Sequence, residues 1–579
     1  MTESISSLTE QWLQWDQDPT TRAEIEQLRD SNATEELEKR LRNRIEFGTA
    51  GLRGRMAAGF SCMNSLIVIQ ASQGLAKFIR DKRSDIASKG VVIGHDARHN
   101  SAKFAALAAN AFIAQQIPVW FFDEEGPTPM VAFGVNYFGA AAGVMVTASH
   151  NPPQDNGYKV YSSNGAQINR PEDGEIAQSI QENLEPWPTA WAELQPSEYL
   201  RADSYQKLLP HYSNQVATYM KSTVENWQPP RPLVYTPLHG VGGLVLPTLC
   251  RSLGINDFHS PTQRKPEHWI LLLKLPIMRG STLIIANDPD ADRFAVAEKV
   301  NGQWHTLTGN HVGVLLASHI LDSFDASKDW SHIAVLTTTV SSGMLGKMAA
   351  AKGIHFQETL TGFKWMANVA RDLEKEGKKI PFAYEEALGY MFPSVCYDKD
   401  GITAATVFLA AEAKWRAQGL TAYAKLQQLF SDFGHHETLN NYFRSPNPQL
   451  TTKLFQGIRG SPGLANMQFG RFKILRWRDL TEGYDSGTPD NKPDLPEDPT
   501  SQMLTLWLEG GVRFTFRGSG TEPKVKFYIE SCGDSRDDAV KAVCDAFLAI
   551  REEWVQMYTP SMTYSKQLPT SSGHILDVE

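Results

Sequence analysis

Three short runs hold the residue types that phosphoryl chemistry requires. Residues 144–152, Val-Met-Val-Thr-Ala-Ser-His-Asn-Pro, lead an apolar stretch into Ser149 and present a hydroxyl where a strand becomes a loop. Asp288, Asp290 and Asp292 alternate in a DPDADR run. Counted from Asp288, an EF-hand needs Gly at its sixth position and Glu at its twelfth; here these are Arg293 and Lys299, which excludes a calcium-sensor loop. Alternate carboxylates, with Pro289 restricting one backbone angle, suit a small hard cation such as Mg2+, and would repel one another in a buried site without it. The run from Arg517 through Gly518, Ser519, Gly520 and Thr521 to Lys524 joins a forked guanidinium, two glycines that let backbone N–H groups approach, and two hydroxyls. Such a loop can cradle a phosphate dianion, although a plain inter-strand turn would read much the same.

Ser149 has a histidine neighbour, His150, but sequence neighbours seldom make a nucleophile–base pair. The GxSxG elbow is absent around both Ser149 and Ser519, so acyl-hydrolase chemistry is disfavoured. A serine facing a bound cation is instead suited to carrying a phosphoryl group. Lys159 follows on a segment with two Asn-Gly pairs, Asn156-Gly157 and Asn164-Gly165, that support a tight hairpin and would hold the lysine near Ser149. Glu385 and Glu386, after another strand-like run, could accept hydrogen bonds from vicinal sugar hydroxyls; a solvated helix start reads the same way.

The elements that must position these loops show a repeating pattern. Val91-Val92-Ile93-Gly94, Leu233-Val234-Tyr235, Ile284-Ile285-Ala286, Ala334-Val335-Leu336 and Phe382-Ala383-Tyr384 each read as a strand, followed by a polar loop and a helical stretch. This alternation predicts α/β layers with mainly parallel sheets and ligand loops at the carboxyl ends of strands. The last quarter changes to alternating strands at 504–508, 512–516 and 525–529 and one long helix from Asp534 to about Tyr558, an α+β domain with an antiparallel sheet. Residues 8–46 read as an N-terminal helical extension, with Leu8, Trp12 and Trp15 on one face and Asp18-Pro19 opening a second helix that ends at Arg44. Residues 484–502 read as a solvated loop and the tail after about Ser561 as weakly ordered.

At 579 residues the chain is too long for one core and predicts roughly four domains. Its 41% hydrophobic and 21% charged residues are those of an ordinary globular protein. A net charge of -9 gives no general attraction to nucleic acid or an anionic membrane, so small phosphorylated metabolites, drawn by local clusters, fit better. Five scattered cysteines without a CxxC pair argue for a reducing compartment, and with no signal pattern or membrane span the expected location is the cytoplasm.

Taken in order, TASHNPP, DPDADR, EEALGY and RGSGTEPK resemble the phosphoserine, metal, sugar-recognition and phosphate-binding loops of the α-D-phosphohexomutase superfamily, over nearly the whole chain. EFGTAGLRG (46–54), GHDARHNS (94–101), TLTGFKW (359–365) and YDKDGITAA (397–405) are similar to its phosphoglucomutase-2/phosphopentomutase branch. The resemblance implies four domains around a central cleft, three similar α/β domains at 46–210, 211–305 and 306–434 and a C-terminal α+β domain at 435–579, after the helical extension at 1–45; a monomer is expected. It implies Ser149 phosphorylated, Mg2+ held by Ser149, Asp288, Asp290 and Asp292, and Arg53, His150 and Lys159 as phosphate contacts or acid/base groups. Arg293 would support the metal loop; Thr361, Gly362, Lys364, Glu385, Glu386 and Lys399 would meet the sugar phosphate, with Arg517, Ser519, Gly520, Thr521 and Lys524 gripping phosphate. The implied reaction is mutase chemistry on ribose, deoxyribose or glucose phosphates, with glucose 1,6-bisphosphate or ribose 1,5-bisphosphate as activator; the alternative is glucose-1,6-bisphosphate synthesis from 1,3-bisphosphoglycerate. Residues 258–280 depart from the branch, being shorter and of different periodicity, as local divergence or a shifted reading frame would make them.

Overall fold

The computed structural model describes residues 3–48, 51–224, 227, 232–256, 258–259, 281–324, 330–461, 464, 466–519 and 523–578. The divergent stretch noted above lies almost wholly outside them. The chain opens with three helices rather than two, Ile5–Trp15, Pro19–Asp30 and Thr34–Leu41. Asp18 caps the second through Thr20 N, with Pro19 in its first turn. The expected single helix to Arg44 is broken because Asn32 adopts φ 51°, a left-handed turn that restarts the helix at Thr34 and ends it at Leu41. Trp12 is fully buried edge-on to Phe60 at 5.1 Å, docking the extension on the first α/β unit.

Four sheets follow. In the first, β1 (Leu52–Arg55), β2 (Val91–His95), β3 (Val119–Phe121), β4 (Ala142–Val146), β5 (Asp155–Ser162) and β6 (Leu200–Arg201) lie in the order β1-β5-β4-β2-β3-β6. β2, β3, β4 and β6 run parallel, while β5 and β1 add an antiparallel edge. Asn156-Gly157 lies inside β5, paired with Gly54 and Arg53; the tight turn belongs to Asn164-Gly165 instead, with Gly165 at φ 78°. The second sheet orders β7 (Leu233–Thr236), β8 (Phe258–His259), β9 (Leu283–Asn287), β10 (Phe294–Val300) and β11 (Gln303–Leu307) as β11-β10-β9-β7-β8. The third orders β12 (Ile333–Thr338), β13 (His355–Thr359), β14 (Lys379–Glu385) and β15 (Gly389–Met391) as β13-β12-β14-β15. The inner strands β2, β9 and β12 are buried along their whole length and mainly apolar, as strands covered on both faces are.

The C-terminal unit is antiparallel: β16 (His435–Arg444), β17 (Gln468–Phe469), β18 (Phe472–Asp479), β19 (Tyr484–Asp485), β20 (Met503–Leu508), β21 (Val512–Gly518) and β22 (Lys524–Gly533) form one sheet. Its helix Arg536–Ala549 continues as a π-helical turn, Ile550–Gln556. The 484–502 loop is mostly exposed, but it begins as β19 because Arg476 pairs with buried Asp485 at 2.6 Å. The tail is folded rather than weakly ordered: β23 (Gln567–Pro569) and β24 (Ile575–Asp577) form a hairpin that buries Leu568 and Val578 in this unit's core. A few large apolar residues in a polar segment were enough to anchor it.

One hydrophobic core joins the three α/β units. Helix Ser204–Ser222 contributes Tyr205, Leu208 and Tyr212 to it, alongside Leu283, Phe382 and Ile402. The C-terminal unit keeps a separate core and meets the third unit through a small cluster of Val340, Leu360, Leu480, Leu495 and Met503. A half-exposed pair, Arg170 and Asp498 at 3.6 Å, closes the circuit back to the first unit. Among the described residues, no helix is long and apolar enough to cross a membrane.

Candidate active site

β4 ends at Val146, and the turn that follows is tightly pinned. Thr147 Oγ1 donates to Asp96 Oδ2 at 2.6 Å and accepts from Ser149 N at 2.8 Å. Ser149 is left at φ 54°, a left-handed conformation that costs a non-glycine residue about 1 kcal/mol, and it is 3% exposed. Arg98 holds the strained loop by donating to the carbonyls of Asn151 at 2.6 Å, Pro152 at 2.9 Å and Asp155 at 3.2 Å, and also to that of Ser149. The loop therefore lies across the carboxyl ends of β2 and β4, where open α/β sheets place ligands. Arg53, on β1, is exposed beside it, 3.4 Å from Asn151 Oδ1.

The aspartates meet this loop from the second unit. They occupy the turn between β9 and β10, tightened by Ala291 at φ 56° and by Arg293 N donating to Asp288 Oδ1 at 2.9 Å. Asp288, Asp290 and Asp292 are all buried, with one oxygen of each within 4.8 Å of the others. Ser149 Oγ donates to Asp288 Oδ2 at 2.9 Å and lies 3.3 Å from His150 Nδ1. Thr128 joins the units, its hydroxyl donating to Asp290 Oδ2 at 2.7 Å and its N–H to the Asp290 carbonyl at 3.0 Å.

Cations surround the trio. Lys159 Nζ lies 2.8 Å from Asp290 and 3.1 Å from Asp292, and Lys399 Nζ lies 3.0 Å from Asp292. Burial opposes the charged form of Asp292, but Lys159 and Lys399 outweigh it and hold this carboxyl well below its usual range. Asp288 moves the other way, pushed up by burial and by repulsion from Asp290 and Asp292. Asp290 Oδ1 and Asp292 Oδ1 are buried and take no hydrogen bond. Crowded carboxylates with two unsatisfied oxygens beside a serine hydroxyl are a fitting site for a divalent cation.

The third unit supplies the next wall. Glu385 ends β14 and lies 3.7 Å from Arg293, which also donates to the Ala387 carbonyl. Glu386 takes a hydrogen bond from Ser341 Oγ at 3.2 Å, and burial together with Glu385 pushes it up to about 7. His150 is exposed beside Ser149; desolvation by the surrounding protein, then Arg293, lowers its imidazole to about 4.

A second cluster lies apart. Burial and then Arg517 lower the Lys364 ammonium, so two cations share one neighbourhood. Thr361 Oγ1 is buried there without a hydrogen-bond partner, and Gly362 adopts φ 107°. Ser519 N bonds the Lys524 carbonyl at 2.9 Å, closing the start of the loop, while the Lys524 ammonium sits 4.5 Å over the Tyr442 ring. Gly520 and Thr521 lie outside the described residues. Tyr528 stands between the clusters: burial raises its phenol, followed by Glu386, while Arg517 acts in the opposite sense.

Sequence alone assigned no site role to Arg98, Thr147 and Asp96, which set the Ser149 turn, nor to Thr128 and Ser341, which brace the carboxylates. Arg98 and Asp96 stand directly after a strand in GHDARHNS, a position that could have singled them out.

Models of the phosphoglucomutase/phosphomannomutase α/β/α domains match this chain: domain I over residues 44–187, domain II over 210–302 and domain III over 308–433. Phosphoribomutase of Saccharomyces cerevisiae is 40% identical over 94% of this chain and 95% of its own. Phosphopentomutase of Mus musculus is 39% identical over 96% and 95%, and glucose 1,6-bisphosphate synthase of Homo sapiens 36% identical over 92% and 90%. Among solved structures, the phosphoglucomutase parafusin of Paramecium superposes with a TM-score of 0.65 at 17% identity, covering 90% of this chain and 97% of that one. With three domain models in sequence and relatives near two-fifths identity along almost its full length, the chain belongs to the phosphoglucomutase/phosphomannomutase family.

Proposed function

We propose that this protein is a phosphopentomutase-type phosphosugar mutase. It interconverts the 1- and 5-phosphates of ribose or deoxyribose, and the 1- and 6-phosphates of glucose, through phosphorylated Ser149 and a sugar bisphosphate. The observation that carries this reading is Ser149 Oγ, on a buried residue and 2.9 Å from a carboxylate of the three-aspartate cluster. The relatives at 39–40% identity favour pentose phosphates.

Asp288, Asp290 and Asp292, with an oxygen on Ser149, would hold Mg2+, which when bound neutralises charge on the transferring phosphoryl oxygens. Arg98 and Thr147 fix the serine's direction of approach. Lys159, Arg53 and His150 surround the phosphoryl position; Lys159, held charged by Asp290 and Asp292, serves as electrostatic support, and His150 can exchange a proton with the sugar hydroxyl. Glu385 and Glu386, with Lys399, orient the sugar ring. Lys364, Arg517 and Ser519, together with Gly520, Thr521 and Lys524, grip the phosphate that is not reacting, a reading supported by two cations sharing one neighbourhood. After one transfer the bisphosphate turns over and returns its other phosphoryl group to Ser149. A bisphosphate such as glucose 1,6-bisphosphate or ribose 1,5-bisphosphate primes the serine. Five free thiols support a cytoplasmic setting, and we take the working unit to be a monomer.

The test is an intact-mass measurement after incubation with glucose 1,6-bisphosphate and Mg2+. One added phosphoryl group, absent from Ser149→Ala, is expected; turnover by the alanine variant would sink the proposal. The 36% identical relatives favour a second reading, bisphosphate synthesis from 1,3-bisphosphoglycerate, which net accumulation of bisphosphate with that donor would reveal.

A further inference from the structure

Cys532 sits where the third unit passes into the C-terminal one. The chain crosses from helix Ala422–Phe433 to β16 through Gly434 at φ 90°, and a Cβ on that glycine would lie 2.7 Å from Cys532 Sγ. The thiol therefore fills the corner of the crossing. Lys347, on helix Met344–Ala351 of the third unit, reaches over it, with Nζ 2.8 Å from Cys532 Sγ and 3.0 Å from the Phe433 carbonyl.

On the other side, His436 is the cross-strand partner of Cys532 between β16 and β22. Its Nδ1 lies 2.9 Å from Glu530 Oε1, while its Nε2 is buried without a hydrogen-bond partner. Glu530 in turn accepts from Gly343 N at 2.9 Å and from Arg513 at 3.3 Å. A carboxylate thus orients a histidine beside a thiol that a lysine from another unit already touches. Burial by itself would raise the Cys532 thiol, but His436 and Lys347 prevail and bring it below its ordinary value. Cys250 and Cys544 are instead pushed up, to about 12 and about 11, chiefly by burial. Cys532 is half-buried and Lys347 is exposed, so a small oxidant can reach the pair.

We propose that Cys532 is a peroxide-reactive thiolate whose oxidation links it covalently to Lys347 and fixes the C-terminal unit against the third. In the first step the thiolate sulfur attacks a peroxide oxygen, the O–O bond breaks, sulfur loses two electrons and a sulfenic acid and hydroxide form. The hydroxide takes a proton from the Lys347 ammonium. The amine then attacks the sulfenyl sulfur; an N–S bond forms, the S–OH bond breaks and water leaves. In sum, thiolate, ammonium and hydrogen peroxide give one sulfenamide and two waters. A thiol reductant reverses the link. Arg517 is carried on β21, next to the β22 that bears Cys532, so the link would tie down the sheet that holds the phosphate grip.

The experiment treats the full-length protein with equimolar hydrogen peroxide and maps its digest by mass spectrometry. A Cys532–Lys347 peptide pair is expected, lighter than the two peptides by two hydrogens and released by dithiothreitol. Cys532→Ser should lack the pair, and Lys347→Arg should lack it while trapping dimedone at Cys532. The proposal is overturned if Cys62, also half-exposed, is oxidised before Cys532, or if Cys532 passes to sulfinic acid unlinked. This readout needs no turnover assay, so it stands apart from the mutase reading. Where mutase turnover is present, the linked protein should lose it several-fold and regain it on reduction; unchanged turnover would overturn the fixing of the unit.

Discussion

The serine–aspartate centre and the proposed phosphate grip would both answer the same charge, and they are built in opposite ways. Around Ser149 the three aspartates are buried, Lys159 and Lys399 are tied to them, and the serine backbone is held at a strained angle by a threonine and an arginine. At the proposed grip, Lys364 and Arg517 share one neighbourhood, with Asp173 and Asp498 also acting on the lysine, and the sheet that carries Arg517 meets the third unit through the chain crossing at Gly434, a small apolar cluster and the Arg513–Glu358 pair at 2.7 Å. The contrast teaches where geometry is required and where charge suffices. Transfer between two oxygens needs atoms fixed to a fraction of an ångström. Holding the remote phosphate needs attraction that survives when the sugar turns end for end.

The comparison breaks most completely at Ser149. Ser149→Ala should lower turnover on the order of 10^4-fold or more, with sugar-phosphate binding by calorimetry little changed. Asp290→Asn removes a carboxylate that Lys159 and Thr128 both contact and should cost about 10^2-fold or more in kcat, with Mg2+ binding weakened in a titration. Arg517→Ala tests the opposite design: kcat/KM should fall by about 10- to 100-fold, carried mainly by KM, and Arg517→Lys should recover part of it. An equal fall in kcat would show the grip to be as geometric as the centre. Arg98→Lys keeps charge but loses the fork that holds several carbonyls at once, and should lower kcat about tenfold with KM unchanged.

The smallest effect on turnover is expected at the seam between the two regions. Burial opposes the His436 imidazolium, but Glu530 raises it to about 9, so its contribution to stability is complete below 6.5 and is lost as pH climbs toward 9. Glu530 is lowered to about 2, against its own burial, by His436 and Arg513; its contribution is complete above 4.5 and is lost as pH falls toward 2. Unfolding temperatures measured between pH 6 and 10 should therefore decline, and His436→Gln should flatten that decline.

Much of this architecture was legible because its signals are local. An apolar strand that stops just before Ser149, or just before Asp288, declares both a parallel strand and a ligand loop within a dozen residues. What assembles those loops is not local. Thr128 and Asp290 are 162 residues apart, and Lys159 and Asp292 are 133 apart, distances over which no periodicity speaks. Only the family resemblance brought such residues together, and it gave no role to Arg98, which falls within GHDARHNS, or to Thr128; the two act on backbone and carboxylate rather than on a reacting atom. Boundaries failed for similar reasons. Asn32 broke a helix whose charged pattern ran on, and Leu568 drew a polar tail into a core that the tail's own composition did not announce.

The joint at Thr128 and Asp290 has an evolutionary consequence. Because hydroxyl and amide of one unit clasp the aspartate loop of another, neither unit owns the centre, and a change on either side is felt by both. Gene duplication can multiply such α/β modules cheaply, but it cannot exchange one for a cousin without re-fitting the clasp. Descent with modification at this joint must proceed in matched steps, which favours divergence of whole chains over the shuffling of their parts.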